Sequence, residues 1–232
     1  MKPSRVKRSL LDRRLLALFA LALLAAPAAW AARKSGANST TLDDGLLEKS
    51  WFGPDATEFR EVEDEIDYLW VSQGFSLDGK TVVFAPWPEV QFLGPEADER
   101  DSRDMRLAED INEDMPEILS DAFRRAFKDR IALGEDKGDI RVEGRIVDCS
   151  TGSVAAKAFV GFGAGSGSTT LDLRFVDTAS GAVVAGLHHR VVSGTNWSTT
   201  DSKLLNWLDD ATLEMARKGF DKLYATGDRV RN

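Results

Sequence analysis

An α+β fold is predicted, a single layer sandwich in which a mostly antiparallel sheet of about five strands packs against two helices. Three observations predict it. Apolar residues recur at helical spacing in two stretches, Ile111, Met115, Ile118, Leu119, Ala122, Phe123, Ala126, Phe127 and later Leu204, Leu205, Leu208, Ala211, Met215, Phe220, Leu223. Between those stretches the period falls to two. A five-residue turn containing glycine then joins two of the alternating runs, as in a hairpin. With 232 residues, 43% hydrophobic and 29% charged, the chain has the composition of a folded domain.

The elements follow in order. Residues 68–71 read as a short strand and 81–85 as a second, stopped by Pro86 and Pro88. Residues 96–117 hold ten acidic and three basic side chains, a charge run read as a solvated loop and helix start. In the helix that follows, Asp110, Glu113, Asp114 and Glu117 stand toward the start, and Arg124, Arg125, Lys128 and Arg130 toward the end. Those signs complement the partial charges of its termini. Pro116 inside the pattern implies a kink or a restart. Ile140, Val142, Gly144 and Ile146 alternate with Arg141, Glu143 and Arg145; Leu171, Leu173 and Phe175 alternate with Asp172 and Arg174. After the turn at 177–181, Val183, Ala185, Leu187, His189 and Val191 form the apolar side of another strand. Thr199, Thr200 or Asp201 can cap the last helix. The domain is placed at 61–226, after a polar lead-in at 32–60 expected to be mobile or loosely docked, and before a tail at 227–232.

Residues 1–31 read as a cleavable signal peptide. Lys2, Arg5, Lys7, Arg8, Arg13 and Arg14 form a basic front, 12 apolar residues follow at 15–26, and Ala29-Trp30-Ala31 supplies the small-x-small site. A membrane span needs roughly 20 apolar residues, so the run falls short of an anchor. Cleavage removes six of 30 basic and one of 38 acidic side chains, leaving 24 and 37 and a net charge of −13. Such a charge repels phosphate backbones and anionic headgroups, which argues against nucleic acid as a partner. The lone Cys149 excludes an intrachain disulfide framework and a Cys-rich zinc module.

No catalytic, cofactor-binding or metal-ligating set emerges, and no cofactor is expected. The run with Gly161, Gly163, Gly165 and Gly167 lacks the lysine of a P-loop and the G-x-G-x-x-G spacing of a dinucleotide site, so it reads as a structural glycine-rich strand. His188 and His189 are strand neighbours and should face opposite ways, His189 with Leu187 and Val191, His188 outward with Arg190. Asp110, Glu113 and Asp114 could crowd a cation but fit no calcium loop. No G-x-S-x-G elbow occurs. Trp51 and Trp87, beside Pro and Gly in expected loops, are the candidate partner contacts.

Three segments together carry a resemblance: Lys80-Thr81-Val82-Val83-Phe84-Ala85-Pro86, then 157–165 with its Gly-Phe-Gly-Ala-Gly core, then the hairpin from Leu173 through Asp177 and Gly181 to Val184. Over roughly 66–224 the chain resembles the bacterial family known as domain of unknown function 4410. The resemblance implies an exported protein, often a lipoprotein, without an established activity; this chain lacks the lipobox cysteine. The expected function is an exported periplasmic, non-enzymatic domain binding another envelope component, a protein. The alternative is a hydrolase or metal-dependent enzyme using the acidic segment 96–117 or His188.

Overall fold

The computed structural model describes residues 46–62, 66–94, 96–152, 167–192 and 201–224, all within one unit, 41–232. Its strands are β1 (Arg60–Val62), β2 (Ile66–Val71), β3 (Thr81–Phe84), β4 (Ala132–Leu133), β5 (Ile140–Ser150), β6 (Ser168–Asp177) and β7 (Val183–Val192). The helices are α1 (Ser102–Phe127) and α2 (Asp201–Lys218). The seven strands form one open sheet in the order β1-β2-β7-β6-β5-β3-β4. Along that order the ladders from β1 through β2, β7 and β6 to β5 are antiparallel, and a tight turn at 178–182 joins β6 to β7. Strand β3 runs parallel to β4 and β5, because α1 carries the chain back across the sheet before it pairs again.

The predicted architecture is thus present, with two more strands than expected. Those extra strands are edge pieces of three and two residues, too short to show a period. Helix α1 begins well before the first expected apolar position, and the reason is a reciprocal cap. The Asp101 carboxylate accepts the Asp104 N–H at 3.0 Å, and the Asp104 carboxylate accepts the Asp101 N–H at 3.3 Å. Leu107 and Ala108 extend the buried stripe toward that cap, and the helix runs without a restart through Pro116. Of the candidate caps of α2, Asp201 is its first residue, and Thr199 and Thr200 lie outside the described residues.

Both helices cover one face of the sheet. Phe123 sits in the middle of that core, edge-on to Phe84 at 5.1 Å and Phe127 at 5.0 Å, and 4.9 Å from Phe220. The opposite face carries a second, smaller apolar cluster of Phe52, Ala56 and Trp70, flanked by Trp51, Phe59 and Val183. Val183 belongs there, and not with Ala185 as the alternation predicts. A bulge between Phe175 and Val176 pairs Val176 with Val183 but Phe175 with Ala185, so the side chains of β7 change face at Val184.

Candidate functional site

The polar side of the sheet is built from a cross-strand row. Register places Tyr68 of β2 opposite His188 of β7, His188 opposite Asp172 of β6, and Asp172 opposite Arg145 of β5. The side chains then touch along that line. His188 Nδ1 lies 2.6 Å from Asp172 Oδ1, a hydrogen bond between ring and carboxyl. Arg145 Nε donates to Asp172 Oδ2 at 2.9 Å, with Nη2 at 2.8 Å as a further ion-pair contact. Asp172 is 0% and His188 1% exposed, so this carboxylate has exchanged water for two partners. Arg145 continues outward, donating from Nη1 to Glu48 at 2.9 Å.

Glu48 lies in a strap, residues 46–59, that belongs to the polar lead-in by composition yet packs on the sheet. A 3-10 turn, Lys49–Phe52, aims two rings at it. Phe52 is fully buried over Gly186, where an added Cβ would come within 2.5 Å of the ring. Trp51 meets Arg145 at 4.6 Å and Arg174 at 4.5 Å, each guanidinium over the ring, and its carbonyl accepts Arg174 Nη1 at 2.5 Å. Arg174 is also paired with Glu143 at 2.6 Å. The hydrogen bond from Arg145 holds Glu48 below the usual carboxylate range.

His189 faces the other way, as expected, with its Nδ1 3.4 Å from an Asp67 carboxylate oxygen. Burial by itself would raise Asp67, but His189 and the Arg190 N–H outweigh it and hold the carboxyl low. His188 points away from the helices, as the alternation predicts, but it is covered and not solvated. Sequence reasoning missed Asp172, Arg145, Glu48 and Tyr68 as its neighbours. The alternation put Asp172 and Arg145 on a polar face, but a regular count back from the turn pairs Asp172 with Leu187; only the bulge brings it to His188.

The other candidates lie apart. Asp110, Glu113 and Asp114 stand exposed on α1, and among the described residues no group of three acidic, His or Cys side chains could hold a metal ion. Elsewhere in the acidic segment Arg100 grips Asp148 with bonds of 2.7 and 3.0 Å, and Asp104 Oδ1 accepts the Thr151 N–H at 2.7 Å and hydroxyl at 2.9 Å. Trp87 is 9% exposed, in the main core, with its ring seated on Gly144. Gly161, Gly163 and Gly165 lie outside the described residues, and Gly167 is buried just before β6. Burial pushes the Cys149 thiol up to about 12, so it is not a nucleophile near neutrality.

No helix among the described residues is long and apolar enough to cross a membrane. No curated protein matches the chain. Among solved structures it is similar to the PelC dodecamer from Paraburkholderia phytofirmans, at 10% identity and a TM-score of 0.42, over 65% of this chain and 95% of that one. It is also similar to a DUF330 protein from Xanthomonas campestris, at 13% identity and a TM-score of 0.35, over 69% of this chain and 94% of that one. Both likenesses are distant, and no property of either protein passes to this chain. The family match is direct: residues 74–195, from the turn before β3 to just past β7, fit the sequence model of the domain of unknown function DUF4410. The chain belongs to the DUF4410 family.

Proposed function

We propose that this chain is an exported, non-enzymatic module of the bacterial cell envelope, released into the periplasm by cleavage after Ala31, and that it binds another envelope protein. One observation carries the non-enzymatic part. The acid, base and cation that a hydrolase would draw on, Asp172, His188 and Arg145, are paired with one another and closed off from solvent, at 0%, 1% and 15% side-chain exposure. A charge of −13 after cleavage supports a protein partner over nucleic acid or anionic lipid. Of the two tryptophan candidates, Trp51, half-buried on the strap, is better placed for contact than Trp87 in the core.

Crosslinking in native envelopes followed by mass spectrometry tests the reading. A discrete protein partner, joined to a chain that begins at Ala32, is expected; recovery from cytosol with Met1 intact, or no partner at saturating crosslinker, overturns it. The second reading is a hydrolase using His188, since a carboxyl on Nδ1 is also how a general-base imidazole is oriented; the 1% exposure of His188 is what weighs against it. Turnover of an ester or peptide library that disappears in His188→Gln would establish that reading instead.

A further inference from the structure

We propose that residues 46–59 are a detachable strap, and that the groove beneath it accepts the same segment from a second copy of this chain. The groove is specific in its chemistry. Arg145 receives a carboxylate, Arg145 and Arg174 clasp an indole, and the bare backbone of Gly186 beside Trp70 receives a phenyl ring. The strap supplies Glu48, Trp51 and Phe52 at matching spacing.

Its attachment is almost wholly through side chains. Among the described residues, the backbone–backbone hydrogen bonds of the strap are local: Trp51 N–H to Glu48 O at 3.1 Å, Gly53 to Ser50 at 3.2 Å and Thr57 to Asp55 at 2.9 Å. No ladder ties it to the sheet, so it can lift off while β5, β6 and β7 keep every inter-strand bond. The strand it leads into, β1, is three residues long. Exchange between copies reuses contacts that already exist and requires no new complementary surface, the condition that makes swapped dimers inexpensive. The inference concerns a second copy and does not depend on the envelope partner proposed above.

The test uses the full chain and a fluorescent synthetic peptide of residues 46–59. Hydrogen exchange should be about ten-fold or more faster in 47–58 than in β6. The peptide should bind saturably, and its Trp51→Ala form about ten-fold more weakly, the scale of a lost cation–π clasp. Arg174→Ala in the full chain should weaken binding as well; if that variant does not fold, the two peptides decide alone. Strap exchange as slow as that of β6, absence of binding, or binding indifferent to Trp51 each overturns the proposal. None of these outcomes alters a crosslink to an envelope protein, so the two ideas fail separately.

Discussion

The Asp172 carboxyl is fully buried, and its position is tolerable only because His188 and Arg145 both point at it. Removing the carboxylate leaves His188 Nδ1 buried without its partner and takes from Arg145 one of its two acids. Asp172→Ala should therefore cost about 3–5 kcal/mol, read from urea unfolding; a loss under about 1 kcal/mol would mean the row is solvated. Small residues matter on both faces. At Gly144 an added Cβ would collide with the Trp87 ring and approach Leu173, so Gly144→Ala should destabilise by about 1–3 kcal/mol in the same assay. Sequence shows both positions, a glycine in an apolar alternation and an acid in a polar one. What it does not show is the neighbour that makes each matter, since Trp87 comes from a segment 57 positions away from Gly144.

Among the elements, α1 and the strap depend most on single carboxylates. Asp104 serves the cap of α1 and, through Thr151, ties that helix end to the chain leaving β5. Asp104→Ala takes the acceptor from those part-buried donors and should cost about 1 kcal/mol in the same unfolding assay. The strap is held in part by Glu48, whose carboxyl is kept low in the folded state by Arg145. A depressed folded-state value means the stabilisation is complete above the ordinary glutamate range near ~4.3 and is lost as pH falls through the lower folded value. Strap protection, followed by hydrogen exchange from pH 7 down to about 3, should drop in that window and be flat across it in Glu48→Gln. The long elements were legible because each repeats its period many times. Strands β1 and β4, the start of α1 and the face change at Val184 were not: two or three residues show no period, and a bulge reverses parity without changing composition.

On the scale of the whole molecule, both helices and all seven strands share the main cluster around Phe123, with the strap on the far face. Loss of far-UV circular dichroism in urea should be a single transition, coincident with loss of tryptophan fluorescence; two separated transitions would divide the core. The open edges of the sheet are short and, at β1, charged with Arg60 and Glu61, which discourages pairing with other strands. Val192, at 40%, is the one large hydrophobic exposed among the described residues, so a partner surface there has to be polar or be uncovered. Sequence by itself determined the α+β class, the family, the main strands and helices and the separation of polar from apolar faces, because each is written in local periodicity or in a motif. Tertiary structure alone decided which polar residues meet. The row from Tyr68 to Glu48 joins four strands and the strap, and its alignment depends on register, on one bulge and on a segment folding back over the sheet, none of which local pattern encodes.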